Sequence, residues 1–131
     1  GDGRPPNQQP ASVSNVPDPK VLTESGPASA VIFSATTASS INPKVLIPIQ
    51  PEHVFKPGQI VYVTYTVHPK GKGKVTVKWY TNNLLFHSYS SGTITDITNG
   101  STQEPFPSPM EGKVELYWNN QLAIRLYFVV R

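Results

Sequence analysis

The side chains of this chain with chemistry to offer are three histidines, eight carboxylates, a set of spaced tyrosines and a lysine-rich stretch. His53, His68 and His87 fall in separate segments, and none has the H-x-x-x-H spacing that places two imidazoles on one metal ion. They read as solvent-facing or strand-edge histidines. Glu104, Glu111 and Glu115 read as surface charges. A glycosidase-like pair among the carboxylates would have to be assembled by the fold, because such groups meet only in space. There is no G-x-S-x-G elbow, and "GKGKVT" lacks the glycine spacing of a phosphate-binding loop. The absence of cysteine removes disulfides, thiolate metal sites and cysteine nucleophiles together. The expectation is a chain that is not an enzyme and needs no metal or cofactor.

What remains is binding. Tyr62, Tyr80, Tyr117 and Tyr127 fall between core positions and, on adjacent strands, would make a flat stacking platform for sugar rings or a protein partner. Tyrosine also covers sheet surface without any ligand, because its strand propensity is high. His68, Lys70, Lys72, Lys74 and Lys78 form a basic cluster able to meet anionic glycans or headgroups, or to guard a strand edge. A net charge of +3 is mild, and no run is dense enough in Lys and Arg for nucleic acid. Asn99 begins an N-G-S acceptor pattern that serves equally as a turn.

The elements that must position these residues have period two. Ile60 to Val67 alternates Val61, Val63, Tyr65 and Val67 against Ile60, Tyr62, Thr64 and Thr66, after a "KPGQ" turn. "VTVKWY" alternates Val75, Val77 and Trp79 against Thr76, Lys78 and Tyr80, and a "TNN" turn leads to "LLFHSY". Further strands are expected at 30–35, 45–49 and 93–98. Nowhere do apolar residues recur at helical spacing over three turns.

The closing "GKVELYWNNQLAIRLYFVVR" reads as a hairpin. A two-residue loop at Asn119 and Asn120 sets apolar against polar faces. A three-residue loop through Gln121 puts Trp118 opposite Leu122, Leu116 opposite Ile124, Val114 opposite Leu126 and Gly112 opposite Phe128, and it pairs Glu115 with Arg125. The second register is the expected one. The expected core is therefore Val61, Val63, Val77, Trp79, Leu116, Trp118, Ile124, Leu126 and Phe128.

Ten of the 14 prolines precede residue 58, and residues 1–29 have little to bury. They read as a Pro/Ser-rich linker to a domain at 30–131. No apolar run approaches the roughly 20 residues needed to span a bilayer. Gly1 in place of methionine suggests a piece of a longer protein, although processing in vivo would look the same.

The "F-x-P-G-x-x-V-x-V" pattern of Phe55, Pro57, Gly58, Val61 and Val63 resembles the second strand of bacterial extracytoplasmic immunoglobulin-like domains. The closing hairpin is similar to theirs, and Trp79 sits where such sandwiches bury a tryptophan on the third strand. The resemblance covers residues 30–131 and implies an immunoglobulin-like antiparallel β-sandwich of about seven strands. It further implies a non-catalytic interaction, sensory or spacer module of an envelope-associated protein, outside the cytoplasm, with a protein or cell-surface glycan as partner. The alternative is a carbohydrate-binding module using the tyrosine face.

Overall fold

In the computed structural model, which describes residues 16–131, the chain is an all-β sandwich of ten strands, and no helix occurs among the described residues. One sheet has the order β1 (Thr23–Ser25), β10 (Gln121–Val130), β9 (Met110–Trp118), β6 (Val75–Thr81) and β7 (Leu84–Ser90). The short β4 (Val54–Phe55) runs parallel to the end of β10. The facing sheet has the order β3 (Ile47–Pro51), β2 (Ile32–Asn42), β5 (Ile60–Val67) and β8 (Thr98–Pro105). All other pairings are antiparallel. The count exceeds the expected seven or so partly because β1 and β4 are only three and two residues long, too short for a periodicity to register.

The core lies between the sheets. Val61, Val63, Val77, Trp79, Leu116, Trp118, Leu126 and Phe128 are all buried, as alternation requires, while Ile124 is half-buried at the margin. At its centre the Trp79 ring meets Phe106 and Phe128 with centroids 5.9 and 6.0 Å away, and Phe55 packs edge-on against Phe128. Gly112 makes room for this cluster, since a Cβ there would overlap the Phe128 ring.

The terminal hairpin combines the two registers open to the sequence. Its turn is the two-residue one: Asn119 and Asn120 have φ of 48° and 67°, the left-handed pair of a type I′ turn, whose twist suits a hairpin. Trp118 therefore faces Gln121, not Leu122. A bulge then intervenes between Leu122 and Ile124, and from there Leu116 faces Ile124, Glu115 faces Arg125 and Phe128 faces Gly112, as expected. The bulge reconciles turn and core because one extra residue switches the face. Asn82 and Asn83 repeat the same turn between β6 and β7. Each turn also locks a neighbour: the Asn82 side chain accepts from the Glu111 amide and the Asn119 side chain from the Lys74 amide, both at 3.0 Å.

Two further expectations change. The strand expected at 93–98 is instead β8, beginning at Thr98, and Ile94 makes only an isolated bridge to Gly73. The inward residues of β8 are Thr98, Gly100, Thr102 and Glu104, opposite Val67, Tyr65, Val63 and Val61, so no apolar alternation marks it. Of the expected linker, residues 1–15 lie outside the described residues. Beyond them, Thr23 to Ser25 pair with Leu126 to Ile124, and Ala28 is buried. Gly26 permits this approach, because a Cβ would collide with the Leu122 carbonyl.

Candidate functional site

Three of the four singled-out tyrosines share the outer face of the larger sheet. Tyr80 on β6, Lys113 on β9 and Tyr127 on β10 lie side by side, and Tyr117 follows four residues along β9. Tyr62 does not join them, since β5 belongs to the other sheet. A period of two fixes which face of its own strand a side chain takes, but not which sheet the strand enters.

Beside the tyrosines runs a cross-strand row of alternating charge: Lys78, Glu115, Arg125 and Glu24, on β6, β9, β10 and β1. Glu115 is the pivot. Although it was expected to be a surface charge, it is only 4 % exposed, because the long side chains around it close over the carboxylate. Arg125 donates its Nε–H to Glu115 Oε2 at 2.6 Å, and the Tyr117 hydroxyl donates to Oε1 at 2.7 Å. Arg125 also donates to Glu24 Oε1 at 2.9 Å, which accepts from the Tyr127 hydroxyl at 2.6 Å. Burial pushes the Glu115 carboxyl up, but the Tyr117, Arg125 and Tyr80 groups around it outweigh burial and hold it below the ordinary carboxylate value. Hydrogen bonds from Tyr127 and Arg125 lower Glu24. Burial and the bond to Glu115 raise the Tyr117 hydroxyl to about 12.

This arrangement consumes its own polar groups. Two tyrosine hydroxyls are bonded to carboxylates, the Lys78 ammonium sits 4.7 Å over the Tyr117 ring, and Lys113 sits 4.4 Å over Tyr80. The face is a cover over the sheet whose polar groups are already engaged, more than an open platform. Lys78 belongs to it and not to the basic cluster. Lys70, Lys72 and Lys74 are exposed on the loop from β5 to β6, and His68 stacks against Phe33 with centroids 4.3 Å apart. Asn99 is in β8 and not in a turn, its side chain accepting from Thr66 and donating to the Val45 carbonyl.

Sequence reasoning missed the side of the sandwich where edge strands β7 and β8 approach. There Glu104, another expected surface charge, is 3 % exposed and points inward opposite Val61. The Tyr89 hydroxyl donates to its Oε2, and His87 Nδ1 lies 3.0 Å from the same oxygen. Trp79 Nε1–H donates to Thr102 across the gap at 3.1 Å. The bond to Glu104, with burial second, raises Tyr89 to about 12. Next to this latch is a cleft of about 420 Å³ with the rings of Tyr65 and Tyr89 in its wall. The Tyr65 ring lies over Gly100, which has no side chain to obstruct it.

The rim is apolar. Leu84, Leu85 and Phe86, consecutive on β7, are 72 %, 57 % and 48 % exposed. Their signal in the sequence is "LLFHSY", whose apolar residues stand together without alternating. Among the described residues, no three His, Cys, Asp or Glu side chains gather where they could hold a metal ion.

No family model and no curated protein matches the chain. Among solved structures it is similar to the superoxide reductase (neelaredoxin) from Ignicoccus hospitalis, with 12 % identity, a TM-score of 0.42, and coverage of 78 % of this chain and 84 % of that one. The expectation that the chain is not an enzyme is corrected to this extent: an enzyme stands among the structures it resembles. A likeness of this degree assigns no activity, cofactor or site. What the comparisons leave in place is a β-rich fold with a distant structural neighbour.

Proposed function

We propose that this chain is an immunoglobulin-like interaction module of a larger extracytoplasmic, envelope-associated protein, and that it holds a protein partner by strand addition along β7. One observation carries the reading: β7 is a seven-residue edge strand whose first three residues are large, apolar and exposed. An open edge offers a row of main-chain donors and acceptors, and neighbouring side chains supply selectivity. The order β10-β9-β6-β7 facing β2-β5-β8, with Trp79 buried on β6, supports the immunoglobulin-like description. The sequence resemblance supports the location and the adhesive, sensory or spacer role within a parent protein. Glycan stacking on the tyrosine face has less support, because lysine ammoniums already occupy ring faces of Tyr80 and Tyr117.

The test is a peptide display library panned against the full chain and against Leu85→Lys. Leu85 is exposed on the outer face beside Tyr80, so the variant keeps its fold. Selected extended peptides should bind the parent and lose at least ten-fold on the variant. Failure to select any peptide, or binding indifferent to the substitution, would refute docking at β7.

A further inference from the structure

The four sheet edges are not guarded alike. β1 is three residues long and carries Glu24, which is engaged by Arg125 and Tyr127. β3 contains Pro48 and Pro51, which lack the N–H that a new strand would need. β8 contains Gly100, Glu104 and Pro105, and its Glu104 is latched to Tyr89. Short length, inward charge and proline are the usual devices against edge pairing. β7, "LLFHSYS", has no proline, glycine, lysine, arginine or carboxylate. The one irregularity is a bulge opposite Trp79 and Tyr80, which leaves His87 to Ser90 as a regular run.

We infer that the occupant of this edge is a second copy of the same chain, its β7 running antiparallel to the first about a two-fold axis, so that the larger sheet continues from one protomer into the other. The inference rests on the proposed docking at β7 and names its partner. Charge supports the choice. The chain has a net charge of +3, so copies repel on approach, and a two-fold axis sets any charged side chain that lies close to it near its own symmetry mate. Residues 82–92, "NNLLFHSYSSG", contain no Lys, Arg, Asp or Glu, so self-pairing along β7 brings no like charges of its own together, and unlike the equally uncharged β3 it has no proline. An antiparallel strand pair is also isologous, each copy giving and accepting the same main-chain bonds. Leu84, Leu85 and Phe86 lose their exposure to water in the same step. A single strand pair is small beside a standard interface of about 800 Å² per partner, so the dimer should dissociate at micromolar or higher concentration.

Sedimentation equilibrium of the full chain from 1 µM to 1 mM (about the range such an affinity demands) tests this, together with Leu85→Lys and Leu84→Lys/Leu85→Lys. The expected result is a monomer–dimer equilibrium weakened at least ten-fold by the single change and abolished by the double one. Amides of β7 should also gain hydrogen-exchange protection as concentration rises. A dimer insensitive to both variants would overturn the inference. So would dimerisation seen only after deletion of residues 1–15, which would make that segment the occupant. A chain monomeric at 1 mM that still takes up selected peptides sinks the second-copy inference alone, whereas one that takes up none sinks the docking reading with it.

Discussion

Replacing Glu115 by glutamine perturbs the centre of the charged row while keeping size and shape. The carboxylate accepts from the Arg125 guanidinium at 2.6 Å and from the Tyr117 hydroxyl at 2.7 Å. A hydrogen bond to a charged group contributes about 1.5–3 kcal/mol, against about 1 for a neutral one. The amide keeps the neutral bond from Tyr117 but presents no charge to Arg125, whose side chain is 28 % exposed and retains Glu24. Water and Glu24 therefore recover part of the loss, and the net cost at pH 7 should be about 1.5–3 kcal/mol. The pH dependence identifies its origin. Because the folded Glu115 carboxyl lies below its ordinary value of 4.5, its contribution is present above that pH and disappears as pH falls through the lower folded value. Urea denaturation of both proteins between pH 7 and pH 2.5 should show a stability gap that is constant at neutral pH and closes in acid. Glu24 is depressed too and shares Arg125 with Glu115, so its change between the two proteins is a coupling that a Glu24→Gln background would separate. A gap of the same size at pH 3 and pH 7, or no gap at all, would show that Glu115 is not the held anion that its contacts describe.

Three further outcomes are expected. Deleting residues 1–15 removes none of the described contacts and should leave thermal stability unchanged, whereas deleting 1–26 strips β1 from β10 and should lower the melting temperature by several degrees in a circular dichroism melt. Gly112→Ala should destabilise by about 1–3 kcal/mol through overlap with Phe128, and adding Phe128→Leu should recover part of that loss, a coupling that denaturant titration of the four proteins would measure. Tyr89 and Tyr117 are raised to about 12 from an ordinary 10, so their share of stability is complete below pH 10 and lost as pH climbs towards 12; spectrophotometric titration of the protein and of Tyr89→Phe and Tyr117→Phe should assign a late-ionising step to each.

The central strands could be read from the sequence because each has one face in the core. Ile60 to Val67 and Val75 to Thr81 place a valine or an aromatic ring at every second position, and those residues are buried. β8 escaped the same test. Its inward positions carry two threonines, a glycine and a glutamate, since the ring of Tyr65 fills the place that a side chain on Gly100 would take and the core ends in a polar latch at Glu104. The terminal hairpin shows a second limit. Alternation fixed the faces of Ile124 to Phe128 but carried no sign of the bulge that lets a two-residue turn serve them. The buried carboxylates show a third, because Glu115 is sealed by Tyr117 and Arg125, and Glu104 by a tyrosine from another sheet. The tyrosine face was partly legible, as Tyr80, Tyr117 and Tyr127 do share a surface, whereas its alternating charges appear only once β1, β10, β9 and β6 stand side by side.

The proposed placement of recognition at an edge accords with how the sheet face is finished. On a broad outer face carrying Lys78, Lys113, Arg125, Glu24 and Glu115, both carboxylates are paired with neighbouring cations, because unpaired charge is costly wherever side chains close over it. Once Tyr117 and Tyr127 donate to those carboxylates, a ligand on that face would have to break existing bonds to make new ones. β7 has no such debt. Among the described residues no strand lies beyond its outward main-chain groups, its apolar side chains already contact water, and the Asn82–Asn83 turn and the pairing to β6 hold it in an extended form. An incoming strand therefore gains main-chain hydrogen bonds and apolar contact at little ordering cost to this chain. Leu84 and Leu85 both lie outside the core, so a lysine at either should weaken the proposed docking and leave the sandwich as it is.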